Sequence, residues 1–316
     1  MKSQFSRACC FTVSLILFLL PASHASILSF FSEKEFNAFF PKHDPFFNYT
    51  AFQKAIKEMS LIKVKIEKRG NWIYKLSRTD LRTGKTTVIR QDPDWETDWA
   101  KVMPYTLIQI DYADFCNGKD PAQNKKEAAA FFAHIAHETR NGVNGRFDDG
   151  LMLKQELNTD SPYIIPNKIY PPSKGEKYYG RGPLQLSYNG NYGFASDCIL
   201  GDKNILLEKP SLLVTDPVLA FKTAIYFWMT PQSLKPSAHA VMTGNWKPSE
   251  KEIKSGYKPG FGMTINIING SIECNKGETL PAMKNRIDFY LHFLKLLGVR
   301  EEKCNCSCGK MQPFPA

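Results

Sequence analysis

The chain has 316 residues, is 43% hydrophobic and carries a formal charge of +10. That is enough apolar material for one large domain or two small ones. No nucleic-acid-binding signature accompanies the charge, so it reads as solubility and loose attraction to anionic surfaces, with no nucleic-acid partner expected.

Residues 1–25 read as a secretory signal: Lys2 and Arg7 lead, "FTVSLILFLL" (11–20) is apolar, and Ala25 offers a small-residue cleavage site. The apolar run is too short to cross a bilayer about 30 Å thick, so no stable membrane association is expected. Secretion in turn favours disulfides among the six remaining cysteines, Cys116, Cys198, Cys274, Cys304, Cys306 and Cys308. "CNCSC" (304–308) lacks the paired-Cys spacing and the histidine of a zinc module.

Two short helices are predicted within 32–60, with Ser32 and Asn48 or Thr50 as N-caps. Residues 62–112 alternate like strands in "WIYKL", "TTVIR" and "YTLIQIDY" and predict a hairpin-like insert. At "DPAQ", Asp120 reads as an N-cap, Pro121 as the first helical residue and Gln123 as the partner of a capping box. The helix that follows places Ala128, Phe131, Phe132, Ile135 and Ala136 on an apolar face, and "NGVNG" (141–145) stops it. Later helices are predicted at 191–200, 216–229 and 281–297. The predicted fold class is mainly α (α+β), with 26–316 as one domain and 300–316 as a cysteine-rich tail.

"YYGRGPLQLSYNGNYG" (178–193) is too polar for a core strand and too aromatic for a linker. Aromatic rings, amides and a close-approaching backbone suit a neutral, hydroxyl-rich polymer. Two carboxylates frame the preceding segment: Glu138 at the end of the predicted helix, and Glu156 in "LMLKQEL". Glycoside hydrolysis requires such a pair on facing walls of a cleft, one protonated and one ionised. His134 and His137 are spaced i, i+3 but do not form H-E-x-x-H, and no third ligand is evident; neither metal nor cofactor is expected.

Six motifs then occur in order: "FFAHIAHET", "KYYGRGPLQLSYNGNYG", "FKTAIYFWMT", "KPSAHAV", "GFGMTINIINGSIEC" and "RIDFYLHFLKLLGV". Together they resemble family 19 glycoside hydrolases, the plant-type endochitinases, over residues 30–60 and 115–300. The resemblance implies a lysozyme-like, bilobal helical fold and an inverting endochitinase, a secreted monomer acting on chitin or chitooligosaccharides. It implies Glu138 as general acid, Glu156 as general base and Ser187 as a holder of the attacking water. It further implies that His137, Gln185, Asn191, Lys235, Asn269 and Arg286 contact substrate or organise charge. Glu273 would pair with basic groups, and Tyr163, Tyr170 and Tyr179 would be aromatics of the cleft. Tyr170 stands where the plant pattern has Trp, and Arg140 and Asn141 alter the rim beside the acid. The family often ties the Asn269 segment to the C-terminal tail, which implies that Cys274 bonds Cys304, Cys306 or Cys308. Two rival functions are a peptidoglycan hydrolase and an inactive chitin-binding protein. An exposed tryptophan of the insert, Trp95 or Trp99, would extend the sugar-binding surface, against the alternative of a small packed lobe.

Overall fold

The structure is a computed structural model that describes residues 26–142, 146–232 and 234–315; the signal-type segment 1–25 lies outside the described residues. The body is helical: α1 (Glu33–Phe39), α2 (Tyr49–Met59), the short α3 (Asp98–Lys101), α4 (Pro121–Glu138), α5 (Asn189–Leu200), α6 (Asn204–Glu208), α7 (Leu212–Thr215), α8 (Pro217–Met229), α9 (Ala238–Met242), α10 (Glu250–Lys254), α11 (Phe261–Glu273) and α12 (Pro281–Leu296). The mainly α, α+β expectation holds.

Ser32 closes a capping box with Glu35, and the Asn48 side chain caps α2 through the Ala51 N–H. Asp120 caps α4 by accepting from Ala122, and Pro121 takes the first helical position. The expected reciprocal contact is absent. Gln123 turns away and donates to the Met242 carbonyl, tying α4 to α9 instead. The apolar face expected of α4 is fully buried, and so are Ala129, Ala130 and Ala133 on its other sides. Small side chains let neighbours approach such a helix from every direction. Phe132 of α4 stacks on Phe31, and Phe39 of α1 stacks on Phe293 of α12 at 4.0 Å between centroids. These rings join the N-terminal helices to the α4–α12 pair in one hydrophobic core.

The insert is larger than a hairpin. Strands β1 (Ile62–Arg69), β2 (Ile73–Asp80), β3 (Lys85–Gln91) and β4 (Tyr105–Asp111) form an antiparallel sheet in the order β3-β2-β1-β4. Alternate residues of β1, Ile62, Val64 and Ile66, face the core, as a half-buried strand requires. The sheet is fastened to the helical body at Arg78, which donates to the carbonyls of Cys198 and Ile199 at 3.1 and 3.2 Å. A cation is favoured there because the last carbonyls of α5 carry the negative end of its dipole. Trp95 is buried on Ile73 and Ala100 under the Arg69 guanidinium, whereas Trp99 is exposed.

Cys274 is bonded to Cys308, one of the three partners expected. The bridge closes 34 residues, for which the chain-entropy picture gives about 3–4 kcal/mol. The tail also lies against α11: Gly262 donates to the Asn305 carbonyl, and a Cβ on Gly262 would sit 2.3 Å from the Ser307 carbonyl oxygen. Disulfides do not extend to Cys116 and Cys198, which are buried free thiols. Secretion alone was the warrant for pairing them, and their apolar burial removes the need.

Candidate active site

Glu138 is the last residue of α4 and projects toward α11 and α12. Its Oε1 accepts from Arg286 Nη2 of α12 at 2.5 Å. Arg286 is fully buried, so its charge must be compensated within reach. Glu273, at the end of α11, does this through both oxygens: Arg286 Nε lies 3.1 and 3.0 Å from Oε1 and Oε2, and Nη2 lies 2.7 Å from Oε1. Asn269 Nδ2 adds a bond to Glu273 Oε1 at 2.8 Å. Asn269 has non-helical backbone angles inside α11, and the kink there sets the direction from which Glu273 arrives.

His134 completes the cluster one turn before Glu138. Thr264 Oγ1 donates to the Phe261 carbonyl and so accepts from His134 Nε2 at 2.8 Å; His134 Nδ1 therefore accepts from Arg286 Nη1 at 3.2 Å. This is a neutral imidazole. Burial first, and the Arg286 charge second, hold its pKa well below the ordinary histidine value. His137 is held the same way, its Nδ1 against Asn285 Oδ1 at 2.7 Å. The cluster is thus one cation between two carboxylates, with neutral imidazoles around it. At 1% and 0% exposure, Glu273 and Arg286 organise charge inside the protein: Glu273 is the carboxylate that pairs with a basic group, and Arg286 is that group.

Glu156 is held differently. Past α4 the chain turns back, and the Thr139 carbonyl accepts from both Met152 and Leu153. Glu156 then exchanges backbone contacts with Gly180: its own N–H donates to the Gly180 carbonyl, and the Gly180 N–H donates to Glu156 Oε1, both at 3.0 Å. Tyr163 Oη donates to Oε2 at 3.0 Å. The carboxylate lines an open groove of about 530 Å³ with Asp44, Lys154 and Val214. Ser187 sits beside this arrangement, since a Cβ on Gly180 would lie 3.3 Å from its Oγ. Ser187 Oγ donates to the Gln185 carbonyl at 3.0 Å, which leaves its lone pairs free to accept. Gln185 Nε2 returns to the Gly182 carbonyl, and Asn191 Nδ2 donates to the Ser187 carbonyl at 2.8 Å.

The polar stretch 178–193 is more internal than its composition suggests. Tyr178, Asn189 and Tyr192 are fully buried, and Arg181 is 5% exposed. Asn189 serves the backbone of Ile165 and Tyr170, and Tyr178 Oη serves Ser173 and Leu207. The lone arginine, Arg181, lies 3.7 Å from the Tyr179 ring centroid and donates to Tyr192 Oη, so it covers one face of Tyr179. Tyr170 was expected as an open stacking surface; its ring is 4% exposed and seated against Gly193. Lys235 Nζ is committed to the Ile267 carbonyl. His134 and Asn285 were missed as members of the site. The i, i+4 spacing of His134 and Glu138 was the available signal.

The comparisons place this architecture among chitinases. The family profile described as chitinase class I matches residues 105–308. The chain belongs to this family, glycoside hydrolase family 19. Endochitinase CH25 of Brassica napus is 47% identical over 199 residues, 62% of this chain and 60% of the relative. Basic endochitinase of Vitis vinifera is 44% identical over 199 residues, covering 62% of each chain. The chain therefore spans about three-fifths of the length of these curated relatives. Among solved structures, chitinase C from Streptomyces griseus HUT6037 superposes with a TM-score of 0.59 at 28% identity, covering 88% of this chain and 96% of its own. The family GH19 class IV chitinase from Zea mays gives 0.54 at 25% identity, with the same coverages.

Proposed function

We propose that the protein is a secreted endochitinase that hydrolyses β-1,4-linked N-acetylglucosamine polymers with inversion, and that residues 26–316 act as one monomeric catalytic domain. The observation that carries this reading is the unequal treatment of two carboxylates. Glu138 shares a buried arginine with a second carboxylate through one oxygen, and its other oxygen is left to hold and deliver a proton. Glu156 lines a groove and, among the described residues, accepts from a backbone N–H and a phenol. In this reading Glu138 protonates the glycosidic oxygen, while Glu156 and Ser187 hold a water against the anomeric carbon. Water attacks as the leaving oxygen departs with the proton from Glu138, and Glu156 receives the proton of the water. The endochitinase names of the plant relatives support the substrate class.

Proton NMR of the first products from N-acetylchitohexaose tests it. The α-anomer is expected. Initial β-anomer would overturn inversion, and cleavage of purified peptidoglycan with no cleavage of chitin would overturn the substrate.

A further inference from the structure

Strands β1–β3 lie outside the residues that the family profile matches. Where they meet α5 they enclose a cavity of about 360 Å³, within the range of small-ligand sites, about 300–1,000 Å³. The sheet contributes Lys68, Tyr74 and Arg90; the helical body contributes Tyr170, Asn191 and Gln232. Arg90 is fixed by a two-pronged ion pair with Asp92 at 2.7 and 2.9 Å, and lies 4.6 Å from the Tyr74 ring centroid. Arg90 also lies 5.8 Å from the Tyr170 ring centroid, so it reaches from the sheet to the helical body.

The cavity neighbours the loop that carries Ser187, through Asn191. Glu156 takes the Gly180 N–H, Gly180 faces Ser187, the Ser187 carbonyl takes the Asn191 amide, and Asn191 lines the cavity. A sugar chain seated across Glu156 and Ser187 would run toward it. The lining suits one chemical group in particular. Ile66, Ile108, Phe194 and Pro231 provide apolar surface, and among the described residues no carboxylate lines the space. The Lys68 ammonium has no acidic partner among the described residues; its contact is the Tyr74 ring, 5.5 Å from Nζ to centroid. The amides of Gln232 and Asn191 add donors and acceptors. An acetamido group offers a methyl for the apolar wall, a carbonyl for the ammonium and an N–H for an amide oxygen.

We propose that this cavity is a sugar subsite added to the cleft by β1–β3, and that it takes an N-acetylglucosamine unit of a chitin chain through its acetamido group, with Lys68 and Gln232 as its specificity residues. The proposal rests on the reading of the protein as a chitinase and assigns the insert a part in it.

The test compares N-acetylchitotetraose with N-acetylchitohexaose, using the full chain and its Lys68→Met and Gln232→Ala variants. A subsite beyond the scissile bond is filled only by the longer chain. The hexaose-to-tetraose ratio of kcat/KM should fall about tenfold in Lys68→Met, the low end for a hydrogen bond to a charged group. In Gln232→Ala it should fall about threefold. The change should reside in KM for the hexaose. An unchanged ratio in variants that melt like the parent overturns the subsite while leaving the chitinase reading intact. An equal loss on both oligomers also overturns it, because the residues would then serve folding or chemistry. If Lys68→Met fails to fold, Gln232→Ala decides alone. Hydrolysis of neither oligomer by the parent overturns both readings.

Discussion

Glu138 ends an 18-residue helix, and it is held by Arg286, a side chain carried by another helix, α12. Glu156 stands in irregular chain and is held by a glycine N–H and one phenol. The first arrangement is an ionic cluster in which Arg286 and Glu273 are buried and Glu138 stays partly exposed, and its members are mutually dependent. The second depends on backbone conformation: Tyr163, Gln185 and Tyr188 all adopt positive φ, at 51°, 49° and 73°. Non-glycine residues hold such angles only where the surrounding structure fixes them. One side of the site is therefore organised by charge and the other by chain path, and the two should respond differently to substitution.

The largest effect is expected at the charge-organised side. Glu138→Gln preserves shape and can still accept from Arg286, but it has no proton to deliver. Turnover of N-acetylchitohexaose should fall by roughly 10²–10⁴-fold, the usual contribution of a general acid, with the melting curve retained. Near-normal turnover would remove Glu138 from the mechanism.

Arg286→Met separates charge from chemistry. It leaves Glu273, 1% exposed, without its cation, and removes the charge shared with Glu138. Breaking a buried pair from one side costs about 3–5 kcal/mol. Denaturant unfolding should show a loss of that size, and a double variant that also changes Glu273 to Gln should recover part of it. A loss below about 1 kcal/mol, the range of exposed pairs, would mean that the cluster is not the closed unit described.

His134 provides a smaller and pH-dependent probe of the same cluster. Its folded pKa lies well below the ordinary value because burial, and then Arg286, disfavour the charged ring. Between the two pKa values the unfolded chain binds more protons than the folded one, so stability rises with pH there. The contribution is complete above the unfolded value of about 6.5 and is lost as pH falls below it. In the parent, this group should account for about 1.4 kcal/mol per pH unit of the acid slope. His134→Gln should flatten the slope by that amount, and an unchanged slope would refute the neutral assignment.

The same division decided what could be read in the sequence. Helix α4 was legible from its cap, its proline and its apolar spacing, and the N-terminal helices were legible for the same reasons. Helix α11 was not, because Thr264, Ile265, Ile267 and Ile268 form a β-branched run that hides its period; its burial among other elements overrides that preference. The insert showed strand alternation in the segments of β2, β3 and β4, but β1, rich in lysine, was not singled out; its pairing with β2 and β4 makes it the central strand. Glu156 was singled out as a carboxylate that could pair with Glu138, but only the family resemblance gave it a role, since nothing local distinguishes it from a surface glutamate. The stretch 178–193 misled for a physical reason. Irregular loops carry unpaired backbone groups, and Tyr178 and Asn189 are polar because they satisfy those groups inside the protein.

Tyr163→Phe sharpens the comparison on the loop side, where the smallest effect is expected. The Gly180 N–H belongs to the backbone and survives any substitution at 163, so Glu156 keeps its bond to Oε1. What disappears is the donor to Oε2. The ring itself is half-buried and meets Tyr188 edge-on at 5.1 Å between centroids, a contact that phenylalanine preserves. The loop should then hold its path, and the carboxylate should gain rotational freedom about its remaining bond. Turnover of the hexaose should fall about three- to tenfold, the worth of one ordinary hydrogen bond, with KM and the thermal midpoint unchanged. A loss as large as that of Glu138→Gln would show that Tyr163 takes part in the chemistry. A loss of stability together with activity would show that the phenol, rather than the chain path through Gly180, fixes the loop.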